Sequence, residues 1–151
     1  MCCSMNTPPV RPDSPSGSRR GVAAVIVRER RFLVIRRSRD VVAPLAYCFP
    51  GGAIEPGESE EEAIVREIRE ELGATIQPLR QVWQSVTPWG VSLAWWDCEL
   101  RRDATITPNP AEVESVCWCT PDEMARLPGL LQSNREFLDA LAEGRMELRL
   151  S

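Results

Sequence analysis

The sequence predicts a mixed α/β domain with helices packed on a β-sheet, because its elements read as strands, one helix, further strands and then helices. A chain of 151 residues, 43% hydrophobic and 26% charged, has the size and composition of one globular domain. No apolar run approaches the roughly 20 residues that a membrane-spanning helix needs, so no membrane association is expected.

The N-terminal segment is rich in Pro, Ser and Arg and has no apolar stretch of the signal-peptide type. We therefore expect a disordered leader at 1–19, a folded domain at 20–151 and a cytoplasmic protein. Without a secretion signal, the six cysteines are not expected to form disulfides. Cys117 and Cys119 are interpreted as small buried residues on one face of a strand, because no His and no C-x-x-C pair supports a zinc site.

The strands are predicted from short runs rich in Val, Ile and Leu. Runs at 21–28 and 31–37 are separated by a charged turn, which predicts a hairpin or two neighbouring strands. A short extended piece is expected at 47–50. Three later extended segments are expected at 75–86, 91–100 and 114–119, with a loop at 101–110.

The first helix is predicted over 59–72. Ser59 and Glu62 form a capping box at its start, and Gly73 is placed to end it in the left-handed conformation. Its apolar stripe consists of Ile64, Val65, Ile68 and Leu72.

Two later helices are predicted from similar signals. Thr120 and Glu123, with Pro at the first helical position, predict one helix start. Ser133 and Glu136 predict the start of a final helix, which runs to about Ala142.

The acidic residues are concentrated around the first helix. The net charge is −4, yet residues 52–74 hold eight Glu against two Arg, so the rest of the chain carries +2. Like charges in one place repel one another, which indicates a counter-cation or a function. The chain has no basic surplus of the kind that nucleic-acid-binding proteins carry, so nucleic acid is not an expected partner.

Glu67, Glu70 and Glu71 have the spacing i, i+3, i+4 and share one face of the predicted helix, apart from its apolar stripe. We expect this face to be exposed. One interpretation is an acidic helix face that has no functional role, since Glu is a good helix former. A site for a hard divalent cation is the other, because Mg²⁺ prefers carboxylates, water and substrate phosphates. The spacing alone leaves both open.

The wider context of these residues is a motif. The chain reads Gly52, five residues, Glu58, seven residues, and then Arg-Glu-Ile-Arg-Glu-Glu-Leu-Gly-Ala at 66–74. This spacing matches every fixed position of the Nudix box, G-x5-E-x7-R-E-U-x-E-E-x-G-U with U apolar, and the sequence thus resembles the Nudix hydrolase (MutT-like) superfamily. The box covers 23 of the 151 residues, and the preceding Phe-Pro-Gly-Gly at 49–52 also fits the family arrangement. The resemblance implies a Nudix-like α/β/α sandwich, with a mixed sheet between helices.

The resemblance also implies roles for the residues of the box. Three carboxylates are implied as ligands of Mg²⁺, for which Mn²⁺ is an expected substitute: Glu67, Glu70 and Glu71. Four residues are implied to hold the box together: Gly52, Glu58, Arg66 and Gly73. The implied reaction is hydrolysis of a phosphoanhydride bond in a nucleoside diphosphate linked to another group X, giving a nucleoside monophosphate and X-phosphate.

Several carboxylates are candidates for the base that accepts the proton of the attacking water. Glu67 and Glu70 are two of them. Glu112 and Glu114, on the segment just before Cys117–Cys119, are alternatives unless they are solvated loop acids, and Glu112 is preferred because family members often carry a Glu there. Contacts with the substrate are expected from four residues: Arg36, Arg37, Gly51 and Gly52.

The expected partner is a nucleotide-derived small molecule, such as a nucleoside triphosphate, an ADP-ribose-like compound, a nucleotide sugar or a dinucleoside polyphosphate. A homodimer stays open. The alternative is a non-catalytic nucleotide-binding sensor with the same fold, although such domains usually lose carboxylates of the box. An enzyme that trims the 5′ end of RNA would keep the chemistry, but the sequence lacks the basic patch that RNA binding favours.

Overall fold

The computed structural model describes residues 19–150, which form seven strands and three helices. Apart from Arg19, the expected leader at 1–19 lies outside the described residues. The elements are β1 (Arg20–Arg28), β2 (Arg31–Arg37), β3 (Tyr47–Cys48), β4 (Gly51–Ala53), α1 (Glu60–Leu72), β5 (Ile76–Val86), β6 (Ser92–Leu100), β7 (Val113–Cys119), α2 (Pro121–Ala125) and α3 (Gln132–Ala142). Within this part of the chain, every helix is too short or too polar to cross a membrane.

The strands form one mixed sheet that opens into two arms. One arm holds β1, which pairs parallel with β6, and β6 pairs antiparallel with β5. The other arm holds β2, which pairs antiparallel with β7. β1 and β2 pair only at their linked ends, as far as Val27 opposite Phe32. Further along, β4 pairs with β1 and β3 pairs with β2, so the segment that joins β3 to β4 enters between the two arms.

Helices cover both faces of this sheet. Successive residues of β1 alternate between two hydrophobic cores, as expected for a strand between two layers. One core contains Val22 and Ala24 with Ile64 and Ile68 of α1. The other contains Ala23, Val25, Phe32 and Val34 with Phe137 and Leu138 of α3. The mixed sheet between helices confirms the predicted sandwich.

The capping box predicted for α1 is present. The Ser59 side chain accepts a hydrogen bond from the backbone N–H of Glu62, and the Glu62 side chain accepts one from the backbone N–H of Ser59. At the other end, Gly73 has φ of 62° and donates its N–H to the carbonyl of Arg69. Both ends of α1 are therefore set by residues of its own sequence.

The start of α3 differs from the prediction. The helix begins at Gln132 with Leu131 as N-cap and without a side-chain cap, so the predicted start at Ser133 is wrong. The buried Leu131 donates its N–H to the carbonyl of Tyr47, so a contact with β3, rather than a local capping box, sets the first turn. The predicted end at Ala142 is confirmed. A second difference concerns β4. One extended piece was predicted at 47–50, whereas the structure has β3 and, after a turn, β4.

Candidate active site

The three carboxylates expected to bind a metal, Glu67, Glu70 and Glu71, differ in their exposure to solvent. Glu67 and Glu71 are 0% and 1% exposed, whereas the side chain of Glu70 is 46% exposed. The expectation of an exposed acidic face is therefore wrong for Glu67 and Glu71. The reason is tertiary packing: α1 contacts β4 and β1, and a residue of β4 donates a hydrogen bond to Glu71.

Glu71 is held by the strand that enters between the two arms of the sheet. Its Oε1 accepts a hydrogen bond from the backbone N–H of Gly51 at 3.0 Å. A Cβ at Gly51 would lie 2.1 Å from the carbonyl oxygen of Val22, so only glycine lets β4 lie this close to β1. Gly52, the next residue, pairs with Val22 in the same ladder. The approach of β4 to β1 thereby places an N–H group against a buried carboxylate.

The same segment is held from the opposite layer by a residue that the sequence reading missed. The buried Asn134 of α3 accepts a hydrogen bond on Oδ1 from the backbone N–H of Phe49 at 2.8 Å. Residues 49–51 are therefore fixed between α3 and α1. One signal in the sequence was available: Asn134 lies three and four residues before Phe137 and Leu138, on the apolar side of the predicted helix, where a polar residue needs a partner.

A half-buried arginine ties the loop before α1 to the helix. Arg66 donates from Nε and Nη2 to the two carboxylate oxygens of Glu58, at 2.6 and 2.9 Å. It also donates to the carbonyl of Ala53 in β4, at 2.9 Å. The hydrogen bond from Arg66 holds the pKa of Glu58 below its usual value of 4.5. Such a bidentate pair fixes the geometry of the loop.

Glu70 and Glu67 also lie within reach of this arginine. Arg66 Nη1 is 3.1 Å from Oε1 of Glu70 and 3.4 Å from Oε1 of Glu67. Burial nevertheless raises the pKa of Glu67 to about 7, against the lowering effect of Arg66 and with a further rise from the Glu70 charge. The inner side of α1 therefore holds a carboxylate in which the effect of burial outweighs the effect of nearby positive charge.

The loop after β6 brings a fourth carboxylate to this end of α1. Thr107 and Asn109 donate their backbone N–H groups to the carbonyls of Leu72 and Glu71, at 2.7 and 2.8 Å. The loop therefore caps the C-terminal end of the helix and leads directly to Glu112.

Glu112 lies close enough to Glu70 for the two charges to interact. Burial raises its pKa, and the charge of Glu70 raises it further. Its Oε2 atom is buried and has no hydrogen-bond partner among residues 19–150. Glu114, the other candidate base, is exposed on β7.

The four carboxylates fit a hard divalent cation by their chemistry. Within residues 19–150, no three Cys, Asp or Glu side chains are already grouped as a metal cage. Mg²⁺ does not need such a cage, because it is usually bound by one or two carboxylates together with waters and substrate phosphates. A cation at this end of α1 would offset the charge of Glu67. Glu67, Glu70 and Glu71 are the residues that would hold it.

The two arginines at the end of β2 have different surroundings. Arg37 is 1% exposed and donates from Nη2 to the carbonyl of Val42. Its Nε and Nη1 atoms have no hydrogen-bond partner in the described part of the chain. Arg36 lies over the ring of Tyr47, 5.4 Å from its centroid, and donates to the carbonyl of Leu45. A buried guanidinium with two unused donors is costly, which indicates an anionic partner for Arg37.

Known proteins resemble this chain over most of its length. The family model described as NUDIX domain matches residues 17–141. The chain is 31% identical over 119 residues to the NAD-capped RNA hydrolase NudC of Deinococcus radiodurans, which is 78% of this chain and 42% of that protein. It is 33% identical over 110 residues to the CTP pyrophosphohydrolase of Escherichia coli, 71% of this chain and 79% of that protein.

A solved structure agrees with these sequence matches. The crystal structure of the MutT protein from Methanosarcina mazei Go1 has a TM-score of 0.70 and 25% identity, covering 84% of this chain and 94% of that one. The chain spans less than half the length of the NAD-capped RNA hydrolase that it matches.

Proposed function

The chain belongs to the Nudix family, and we propose that it hydrolyses a phosphoanhydride bond in a nucleoside diphosphate linked to another group X, with Mg²⁺ as cofactor. The products are a nucleoside monophosphate and X-phosphate. The observation that carries this proposal is the burial of Glu67 and Glu71 on the side of α1 that faces β4, with Glu112 close enough to the adjacent Glu70 for their charges to interact. Buried carboxylates close together on one side of a helix are what a cation-dependent phosphate site needs.

Each residue of the site has a distinct part in the proposed reaction. When bound, Mg²⁺ neutralises phosphate charge and acidifies the attacking water. Glu67, Glu70 and Glu71 are proposed to hold it, and the Gly51 N–H fixes the orientation of the Glu71 carboxylate. Glu58 and Arg66 keep the loop of the box against α1 and take no part in the chemistry.

The base is proposed to be Glu112, ahead of Glu67 and Glu70. Its buried Oε2 atom has no partner among the described residues, and burial raises its pKa toward the range in which a carboxylate accepts a proton efficiently. Glu70, in contrast, is engaged by Arg66.

Arg37 is proposed to bind a phosphate of the substrate. Its Nε and Nη1 donors have no partner among the described residues, and a phosphate oxygen is a charged acceptor that would satisfy one of them. Arg36 is the second candidate, with its charge already stacked on Tyr47. Gly51 and Gly52 leave the backbone open to a close approach by the substrate, because they carry no side chain.

The named relatives suggest where to look for the substrate. One acts on CTP and another on NAD-capped RNA, so nucleoside triphosphates and NAD-type dinucleotides are the first compounds to test. The panel should also include ADP-ribose, nucleotide sugars, dinucleoside polyphosphates and oxidised nucleoside triphosphates. Capped RNA belongs in it as a separate arm, since the chain carries no basic surplus.

The deciding experiment is hydrolysis of this panel with and without Mg²⁺, with mass-spectrometric identification of the products. We expect one class of compound to yield a nucleoside monophosphate, and turnover to stop on chelation and in Glu71→Gln. Nucleotide binding without turnover on any compound would contradict the enzyme and favour the sensor. Cleavage of capped RNA alone would assign a nucleic-acid substrate.

The phosphate role of Arg37 has a matched test in Arg37→Met and Arg39→Met. Arg39 is the exposed arginine two positions further on. Replacing Arg37 should raise KM by on the order of tenfold to a hundredfold, the effect of losing a charge-assisted hydrogen bond to the substrate. Arg39→Met should leave KM unchanged. Equal effects of the two variants would show that general positive charge, rather than a built contact, is what matters.

A further inference from the structure

Two thiols lie side by side on β7, near the end of the strand that is distant from Glu112. The Sγ atoms of Cys117 and Cys119 are 3.5 Å apart. Residues two positions apart in a strand point to the same face, here the face that carries the core with Phe32 and Phe137. Cys119 is 6% exposed and Cys117 is half-buried, so the pair can be approached from solvent at Cys117. β2 is the only strand paired with β7 among the described residues.

The surroundings of this thiol pair disfavour a zinc site. Burial raises the pKa of Cys119 to about 12, so this thiol is protonated at neutral pH. Arg31 and Glu123 are near it but form an ion pair with each other at 2.6 Å. Between residues 19 and 150, no third Cys, Asp or Glu completes a metal-binding group with the two thiols. A structural zinc ion takes four protein ligands, which this part of the chain does not supply.

The geometry favours a bridging atom over a direct disulfide. Residues i and i+2 of an extended strand have Cα atoms roughly 6.6 Å apart, near the upper limit for a disulfide. An atom bonded to both sulfurs at about 2.3 Å, the length of a Zn–thiolate bond, would instead subtend an S–atom–S angle of about 100° at the observed separation. That angle suits a pyramidal centre and is far from the linear arrangement of two-coordinate ions.

We propose that Cys117 and Cys119 form a dithiol site for trivalent arsenic, the thiophilic class whose pyramidal bonding needs only two sulfurs from the protein. With an arylarsenic oxide, the two S–H bonds and the bond from arsenic to oxygen break and two As–S bonds form. The two protons leave with the oxygen as water, and arsenic stays trivalent, so no oxidant or reductant is needed. The site is independent of the proposed hydrolysis.

The test is intact-mass spectrometry of the full chain with phenylarsine oxide. Cys2 and Cys3, outside the described residues, are adjacent thiols and need to be removed first, so Cys2→Ser/Cys3→Ser is the background. We expect this background protein to bind one phenylarsenic group, to keep it in excess monothiol and to release it to a dithiol. Peptide mapping should find both Cys117 and Cys119 blocked against alkylation.

Single substitutions then show whether both sulfurs are needed. Cys117→Ser or Cys119→Ser in the background should weaken retention of arsenic by on the order of a hundredfold, because the second As–S bond is intramolecular. Cys98→Ala, at another buried cysteine, should retain the group and is the matched control. No adduct on the background protein, an adduct that survives Cys117→Ser, or arsenic mapped to Cys48 or Cys98 would overturn the proposal. The peptide mapping uses the background protein, so it identifies the cysteines that bind arsenic even if a serine variant fails to fold.

Discussion

Glu58 and Glu67 belong to one motif of the chain, yet their pKa values shift in opposite directions. Glu58, in the loop before α1, has its pKa lowered by the hydrogen bond from Arg66. Glu67, on the side of α1 that faces β4, has its pKa raised to about 7 by burial. A nearby positive charge lowers the pKa of a carboxyl group, whereas removal from water raises it. An ionised glutamate therefore stabilises the fold at position 58 and destabilises it at position 67.

The candidate site can be divided into an inner group of carboxylates, Glu67, Glu71 and Glu112, and an outer pair, Glu58 and Arg66. The outer pair is complete as it stands, with two hydrogen bonds between its members. In the inner group, burial raises the pKa values of Glu67 and Glu112, so their ionised forms lower stability, and a bound cation would offset this cost. Substitutions in the inner group should accordingly remove activity, and those in the outer pair should remove stability.

The largest effect is expected for Glu71→Gln. Its amide oxygen can still accept the Gly51 N–H, so the fold should persist and the melting temperature should not fall. The variant loses a negative ligand, and kcat should decrease by on the order of a thousandfold or more, because a bound cation contributes several kcal/mol to catalysis of this kind. Steady-state kinetics with Mg²⁺ measure kcat, and thermal unfolding measures the melting temperature. If the variant kept the wild-type kcat, Glu71 would not be a ligand of the catalytic cation.

The next effect is a pH dependence in the metal-free protein. The pKa of Glu67 is 4.5 in its ordinary state and about 7 in the fold. Between these values the folded state binds more protons than the unfolded state, so the free energy of unfolding should fall as pH rises from about 4.5 to about 7. The full shift corresponds to about 3 kcal/mol. Glu67→Gln should flatten this slope and be more stable than wild type above pH 7.

Denaturant unfolding at several pH values, with a chelator present, measures this slope. Glu112 and Asp97 also have raised pKa values and contribute with the same sign, so the quantity to compare is the difference between wild type and Glu67→Gln. Adding Mg²⁺ at pH 8 should stabilise wild type more than the variant. Parallel pH profiles of the two proteins would mean that burial does not raise the pKa of Glu67 in solution.

Glu58→Gln tests the outer pair and should act on stability alone. The side chains of Glu58 and Arg66 are 18% and 26% exposed, so the loss should be about 2 kcal/mol, between values for exposed and buried pairs. Since the pKa of Glu58 is lowered in the fold, its contribution is present above pH 4.5 and is lost as pH falls below it. The difference in the free energy of unfolding between the variant and wild type should therefore disappear at acidic pH. A decrease in kcat without a decrease in stability would place Glu58 in the chemistry.

The sequence predicted the parts of the site that local signals specify. The ends of α1 follow from Ser59, Glu62 and Gly73, and the spacing of the box identifies the acidic residues of the helix. The fold class follows from the order of elements, because alternating apolar residues and capped helices fix each element separately.

The burial of those carboxylates did not follow from the sequence. Glu71 is buried because Gly51 allows β4 to approach β1, and that contact joins residues that are distant along the chain. Arg37 is buried because Leu45 and Ala46 fold back and pair with its backbone. Periodicity assigns a side chain to a face of its element, but what covers the face depends on tertiary packing.

The smallest test uses the two predicted helix starts, Ser59 and Ser133. Ser59→Ala removes a capping hydrogen bond and should lower the free energy of unfolding by about 1 kcal/mol. Its kcat should stay at the wild-type value, since the cap supports α1 from the same end as the outer pair. Ser133→Ala should change stability by less than about 0.5 kcal/mol, because α3 starts from Leu131 without a side-chain cap and Ser133 accepts only a 3.2 Å hydrogen bond from the neighbouring Asn134 side chain. Denaturant unfolding of both variants measures the difference. Equal losses would mean that Ser133 supports the start of α3 in solution, and a lower kcat in Ser59→Ala would show that the cap also positions the inner group.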